Sequence, residues 1–334
     1  MTEPLLDVTG LSVTFATEAG ALTAVQDVSF TVQPGEILSV VGESGSGKTL
    51  SLLSVMGLHD PRNTTVGGTV TFRGQSLLGL KERQMRRLRG NEIAFISQDP
   101  MTALTPVLSI GAQIVEQIRA HERVGARAAW DRAVALLAEV GIFDPDDTAR
   151  RFPHQLSGGM RQRAVIAMAL SCNPSLLIAD EPTTALDTTV QAQVLDLLRK
   201  LRRDHGSAIV LITHDMGVVA EMADRVVVMY AGRVVESGTA ADVFNAPMHP
   251  YTWGLLGSIP PLTGQRPARL PSIPGAPPMV GQVPKGCAFA PRCPARMAVC
   301  GTEPPARRDG DHMALCHLNA EQRAAARSVT AVPA

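Results

Sequence analysis

The chain has 334 residues, 45% of them hydrophobic, which is enough for a large core and for two domains or one domain with a sizeable appendix. Lysine plus arginine and aspartate plus glutamate number 31 each, so net charge is zero and the basic surplus expected of a nucleic-acid binder is missing. No apolar run reaches the ~18–20 residues of a bilayer span, and Met1-Thr2-Glu3-Pro4 lacks the basic-then-apolar pattern of a secretory signal, so the expectation is a soluble, cytoplasmic chain.

Residues 5–15, 28–33 and 68–73 are rich in β-formers and predict an antiparallel sheet near the N-terminus. Residues 36–41 (E-I-L-S-V-V) are apolar without alternation, as in a strand buried on both faces. A glycine-rich loop follows, then a helical stretch from Thr49 to Leu58. Residues 81–89 carry Lys81, Arg83, Arg86, Arg87 and Arg89, read as a solvated helix face in preference to a contact with anionic lipid. Three more buried-strand candidates, Glu92–Ser97, Leu176–Ala179 and Ala208–Thr213, each give way at once to a polar residue: Gln98, Asp180 and His214. Ligands of open α/β sheets bind outside the carboxyl ends of the strands, which makes these three site candidates. Between the first and second of these strands, residues 110–140 set Trp130, Val134, Leu137 and Val140 on one helical face, predicting an inserted helical subdomain. Residues 225–236 predict a hairpin turning at Ala231-Gly232. After about residue 247 the composition shifts: eight prolines between Pro260 and Pro284 exclude regular helix there, and the Ala-rich end from about Asn319 is expected to fray.

Residues 42–49 (Gly42, Glu43, Ser44, Gly45, Ser46, Gly47, Lys48, Thr49) match G-x-x-x-x-G-K-S/T between a strand and a helix that continues through Leu50. The glycines let successive N–H groups turn inward as an anion cradle, and the helix adds its positive end. Lys48 can reach the β- and γ-phosphates of a nucleotide, and the Thr49 hydroxyl can ligate Mg²⁺. Asp180 closes a buried strand, where an Asp holds magnesium in enzymes of this kind, and Glu181 beside it can polarise the attacking water. Gln98 can ligate Mg²⁺ through its carbonyl or touch that water, and His214 can hydrogen-bond a γ-phosphate.

Residues 156–163 read L-S-G-G-M-R-Q-R, placing Ser157, Gly158 and Gly159 at a helix start and making a second anion site that one nucleotide would struggle to use together with the first. Cys287, Cys293, Cys300 and Cys316 crowd one segment, spaced C-x5-C-x6-C-x15-C with His317 beside the last, while Cys172 stands alone as a small core residue. Four thiolates can ligate Zn²⁺ or a 4Fe–4S cluster; the alternative is a set of free thiols. A structural staple for a proline-rich segment is the more economical role.

In order along the chain, the phosphate loop, Gln98, L-S-G-G, Asp180-Glu181, Ala185-Leu186-Asp187 and His214 resemble the ATP-binding cassette (ABC) family. The resemblance narrows to the ATPases of dipeptide/oligopeptide (peptide/nickel) importers through S-Q-D-P-M-T-A-L, H-Q-L-S-G-G-M-R-Q-R, A-D-E-P-T-T-A-L-D, V-M-Y-A-G, H-P-Y-T at 249–252 and G-C-A-F-A-P-R-C-P. Thr105, where that branch more often has Asn, and Thr49, where Ser is common, are departures that leave the resemblance intact. It implies an α/β P-loop NTPase cassette over 1–247: a RecA-like core, an antiparallel β subdomain and a helical subdomain at about 100–170. A small Pro- and Cys-rich domain at 248–320 and a flexible tail at 321–334 would follow.

By the same resemblance, two cassettes meet head to tail, so Ser157, Gly158, Gly159 and Gln162 face the partner's ATP. Glu181 is then the general base, His214 the γ-phosphate sensor, Asp187 part of the D-loop, and Phe15 the ring that stacks on adenine. The cysteines imply an iron–sulfur cluster, with zinc the alternative. The implied activity is ATP hydrolysis driving uptake of di- or oligopeptides at the cytoplasmic face of the membrane, with the chain bound peripherally. The implied partners are a second, non-identical ATPase subunit, two transmembrane permease subunits and an extracytoplasmic substrate-binding protein. Nickel, glutathione or an opine are alternative cargoes, since cargo is chosen by other subunits. A non-transport cassette ATPase is the rival from another class, but the long coiled-coil insertion of repair members and the fused second cassette of ribosomal members are not seen here.

Overall fold

The computed structural model describes residues 3–18, 20–184, 186–259 and 272–330. Ala185 and the prolines at 260, 261, 267 and 271 lie outside the described residues. Strands β1 (Leu6–Thr17) and β2 (Gly20–Val32) open the chain, followed by β3 (Ile37–Val41), helix α1 (Lys48–Val55), β4 (Thr64–Phe72), β5 (Gln75–Ser76), α2 (Glu82–Leu88) and β6 (Ile93–Ile96). A helical block comes next: α3 (Pro100–Ala103), α4 (Ile110–His121), α5 (Ala126–Glu139), α6 (Pro145–Arg150) and α7 (Gly158–Leu170). Then come β7 (Leu176–Asp180), α8 (Thr188–His205), β8 (Ala208–Ile212), α9 (Met216–Met222), β9 (Arg225–Tyr230), β10 (Arg233–Thr239), α10 (Ala240–Asn245) and α11 (Pro250–Gly257). The chain closes with β11 (Ala306–Asp309), β12 (His312–Leu315) and α12 (Ala320–Thr330).

Two sheets result. A four-stranded antiparallel sheet runs β2-β1-β4-β5, with Leu6 opposite Val32 on one side and Phe72 on the other. The main sheet runs β11-β12-β10-β9-β3-β8-β7-β6, parallel from β9 to β6 and antiparallel at its other edge. The parallel strands show no alternation in sequence because both faces are covered. On β7, Leu177 and Ala179 face the helical block, whereas Leu176 and Ile178 face the antiparallel sheet and α1. On β8, Ile209 and Leu211 divide from Ala208, Val210 and Ile212 in the same way. That parity matters for function, since residue 180 falls on the α1 side of β7.

The predicted helical stretch 110–140 is two helices, broken at Glu122–Gly125, where Glu122 ends α4 and Gly125 starts α5 in extended backbone. The buried stripe of α5 is Ala129, Ala133, Leu136 and Leu137, with Trp130 and Val134 half-buried at its edge. Arg89 is not part of a solvated face: it donates to the carbonyls of Met56 and Gly57, satisfying the C-terminal end of α1. The hairpin β9–β10 turns where expected, with φ of 49° at Ala231 and 81° at Gly232, the paired left-handed conformation of tight hairpin turns.

The C-terminal region is joined to the core. β12 pairs with β10, and Val41, Val228 and Tyr230 share one hydrophobic cluster with Tyr251 and Phe289. Glu236 of β10, fully buried, accepts from the N–H groups of Met248 (2.6 Å) and His249 (2.8 Å) and lies 2.7 Å from His312 Nε2, so its charge is met on three sides. The end expected to fray is helical as α12 up to Thr330. Asn319 Oδ1 accepts from Gln322 N–H while Gln322 Oε1 accepts from Asn319 N–H, a reciprocal cap ahead of strong helix formers.

Candidate functional site

The phosphate loop leaves the C-terminal end of β3, the strand between β8 and β9, and enters α1. Its shape is set by backbone angles that side chains resist. Gly42 has φ 150°, and a Cβ there would stand 2.2 Å from the Met229 carbonyl oxygen and 2.8 Å from Ser46 Oγ. Lys48, buried, donates to the carbonyls of Gly42 (2.7 Å) and Glu43 (2.9 Å) and lies 3.4 Å from Ser46 Oγ. Burial lowers its pKa, an effect opposed by the carboxylates of Glu181, Asp180 and Glu43. Ser44 and Gly45 are exposed at the loop's tip, Gly47 caps α1, and Leu50 is half-buried in the first turn.

Gly42→Ala is expected to cost about 1–3 kcal/mol of stability, because backbone must move to admit the methyl. It should also abolish the rise in melting temperature expected of the parent on binding a magnesium–nucleotide complex. A Gly42→Ala protein with parental melting temperature and parental nucleotide response would contradict this.

Asp180 is buried at the end of β7, and its parity aims it at α1, where Thr49 Oγ1 donates to its carboxylate at 2.9 Å. Burial raises the Asp180 pKa; Thr49 and Lys48 pull it down and Glu181 pushes it up. The next residue, Glu181, has φ 46°, a left-handed backbone unusual for a side chain this long. Its carboxylate accepts from Gln98 Nε2 (3.0 Å) and Thr184 Oγ1 (2.8 Å), and His214 Nδ1 lies 3.3 Å away. The ends of β6, β7 and β8 therefore bring Gln98, Asp180, Glu181 and His214 together beside the phosphate loop. Thr184 was missed in the sequence, although a hydroxyl three residues after a turn glutamate is a recurrent local partner.

Ser157 and Gly158 are exposed at the start of α7, and Ser157 Oγ accepts from Met160 N–H at 3.3 Å. Gln162, expected beside them, is 1% exposed and faces the packed side of α7, so it does not share their surface. Asp187 caps α8, accepting from Val190 N–H at 2.9 Å. Phe15 is half-buried on β1, edge-on to His59 with ring centroids 6.4 Å apart; His59 Nε2 in turn lies 2.8 Å from Ser54 Oγ of α1.

Cys287, Cys293, Cys300 and Cys316 line one small cavity with His249, Phe289 and His317. Burial pushes the Cys293 thiol up to about 12 and the Cys316 thiol up to about 11. The donor chemistry suits a thiolate-bound metal, but among the described residues no three His, Cys, Asp or Glu side chains converge closely enough to hold an ion. The expected metal centre is thus not formed by the side chains as they stand: they line the cavity without converging on one point.

A strand–phosphate-loop–helix unit with a carboxylate pair at a neighbouring strand end defines the class of P-loop nucleoside-triphosphate-binding proteins. Residues 25–184 match the family model for ABC transporters, and residues 235–300 match the C-terminal region of oligopeptide/dipeptide transporters. The oligopeptide transport ATP-binding protein OppD of Salmonella typhimurium is 49% identical over 301 residues, covering 90% of this chain and 89% of the relative. OppD of Mycobacterium tuberculosis is 52% identical over 316 residues, covering 94% of this chain but 52% of the relative, so the chain spans about half the length of that longer protein. Among solved structures, the ATP-binding cassette MJ0796, a dimer bound to ADP and Pi, superposes with a TM-score of 0.64 at 27% identity, covering 70% of this chain and 98% of that one. The chain belongs to the ABC transporter family, in its oligopeptide/dipeptide ATP-binding branch. No helix among the described residues is long and apolar enough to cross a membrane.

Proposed function

We propose that the chain binds and hydrolyses ATP at Gly42–Thr49 and so drives uptake of di- or oligopeptides through a membrane importer. The observation that carries this reading is the line of contacts from Thr49 through Asp180 to Glu181, Gln98 and His214, built on adjacent strand ends. Lys48 and the loop N–H groups bind the β- and γ-phosphates. Thr49, Asp180 and Gln98 hold Mg²⁺, which neutralises phosphate charge when bound; all three offer the hard oxygen donors this ion prefers. Glu181 takes a proton from the attacking water, its carboxylate aimed by Thr184 and Gln98. His214, exposed beside Glu181, senses the γ-phosphate. Phe15 packs against the adenine.

Ser157, Gly158 and Gly159 complete the ATP site of a second cassette, and that partner's signature completes this one, with Asp187 in the D-loop between them. The partner is a related, non-identical ATPase; two permease subunits and an extracytoplasmic binding protein make up the rest. The chain works peripherally at the cytoplasmic face of the membrane. Its ATPase unit covers 1–247, with the helical subdomain at about 100–170, and 248–320 forms the transporter-specific appendix. Cys287, Cys293, Cys300 and Cys316 are the ligand set for a 4Fe–4S cluster, with Zn²⁺ the alternative. What supports this is their common cavity; side-chain rotations would have to bring the thiols together.

The test is to isolate the tagged chain from membranes of its host and identify what accompanies it. Two multi-spanning proteins, ATP-dependent peptide uptake after reconstitution, and bound iron with sulfide are expected. An ATPase that arrives without membrane proteins would overturn the importer reading, and stoichiometric zinc would replace the cluster.

A further inference from the structure

Glu43 is an acid inside a loop that receives a polyphosphate, which is unfavourable unless its charge is met. Arg292, from the cysteine-bearing segment, meets it with a two-pronged ion pair: Nη1 donates at 2.6 Å and Nη2 at 2.9 Å to the two carboxylate oxygens. The Arg292 side chain is 5% exposed and that of Glu43 27%, so the pair is screened by solvent only from the Glu43 side. Its guanidinium also donates to the carbonyls of Pro274 and Ile273 and lies over the rings of Tyr230 and Phe289, 5.8 and 6.0 Å from their centroids. From α11, the buried Tyr251 hydroxyl accepts the Glu43 N–H at 2.8 Å. Glu43 is therefore gripped at backbone and carboxylate by residues 208 and 249 positions away in the chain.

We propose that Arg292 is a positioning residue of the ATP site: it neutralises Glu43 and draws its carboxylate away from the bound phosphates, so that the cysteine-bearing segment sets the affinity of the phosphate loop. The inference rests on ATP binding at Gly42–Thr49. Tyr251 fixes the start of the loop, and Arg292 sets its charge. Lys48 then carries its positive charge toward the phosphates with the Glu43 carboxylate neutralised by Arg292. The role is electrostatic, so it belongs to ATP affinity rather than to the chemical step. It also predicts that charge at position 292 matters more than the forked shape.

The test measures MgATP affinity and steady-state turnover on the full chain. Arg292→Met keeps a stem that can lie over Tyr230 and Phe289 but removes the charge; it should raise the Kd and KM for ATP about tenfold or more, with kcat within about threefold. Arg292→Lys keeps the charge but loses the fork and the ring stacking, so its Kd should fall between those of the parent and Arg292→Met. Glu43→Gln combined with Arg292→Met should recover most of the lost affinity, because neither charge remains, and this pair keeps the question answerable if the single Met variant folds poorly. Parental affinity in Arg292→Met would overturn the proposal. So would a double variant as weak as the single one, which would reduce Arg292 to a structural brace. Lys48→Ala is the control for the underlying placement: ATP binding lost there places the nucleotide at the loop, whereas parental binding would overturn that placement itself.

Discussion

Replacing Glu181 with glutamine is expected to cut ATP turnover by about 10²–10⁴-fold while leaving ATP affinity within about threefold of the parent. The amide keeps the shape and the ability to accept from Thr184 and Gln98, but it cannot take a proton from water. The strained backbone at Glu181, with φ 46°, is retained, so fold and melting temperature should change little. Alanine would be a poorer probe, because it would also strand the Gln98 amide and the Thr184 hydroxyl.

The comparison that isolates the base is with its neighbours. The Asp180 carboxylate accepts from Thr49 and is buried against the phosphate loop, so Asp180→Asn should weaken Mg²⁺-dependent ATP binding as well as turnover. Glu181→Gln should instead split the two, giving tight binding and slow release of phosphate, and trapping two cassettes together on ATP. Phosphate-release assays at saturating MgATP, with binding measured separately, read the split. Turnover within tenfold of the parent would remove Glu181 from the role of base and shift attention to His214.

What could be read from sequence follows from range. The strands β3, β7 and β8 are legible because a strand covered on both faces must be apolar at every position, and the phosphate loop because its glycines answer to backbone angles rather than to distant packing. The polar residues at strand ends are legible by the same logic, since β6, β7 and β8 lie side by side. The break between α4 and α5 was missed because the helical period nearly continues across Glu122–Gly125. Gln162 was carried with its motif onto the surface, but its side chain is 1% exposed one turn further into α7, where the helix is packed, whereas Ser157 and Gly158 stand exposed at the helix start. The Ala-rich end reads as loose only if the reciprocal cap of Asn319 and Gln322 is overlooked. The Arg292–Glu43 pair had no local signal at all: nothing around either residue announces a partner so far along the chain.

Acid should loosen the C-terminal region before the rest of the molecule. His249 is 1% exposed, its Nδ1 accepts the Tyr251 N–H at 3.1 Å, and it therefore sits in the core as a neutral ring. Burial lowers its pKa from 6.5 to about 4, with the Glu236 carboxylate partly opposing the shift. Because the folded value lies below the unfolded one, the unfolded chain binds the extra proton first as pH falls. The stability this group contributes is complete above pH 6.5 and is lost progressively down to about pH 4. At 1.36 kcal/mol per pKa unit the loss comes to about 3 kcal/mol, a large fraction of the stability of an ordinary domain. Asp180, raised by burial, works in the opposite direction, so the informative quantity is a difference between two proteins rather than a raw slope. His249→Asn supplies the second protein: its amide oxygen can still cap α11 by accepting the Tyr251 N–H, and it does not titrate. Melting temperatures followed from pH 7.5 to 4 should diverge, the parent falling and His249→Asn holding flatter; parallel curves would mean that His249 is not the group that titrates. Because Tyr251 also holds the Glu43 N–H, the parent's ATP affinity should fall over the same pH range, linking the two ends of the chain through one buried imidazole.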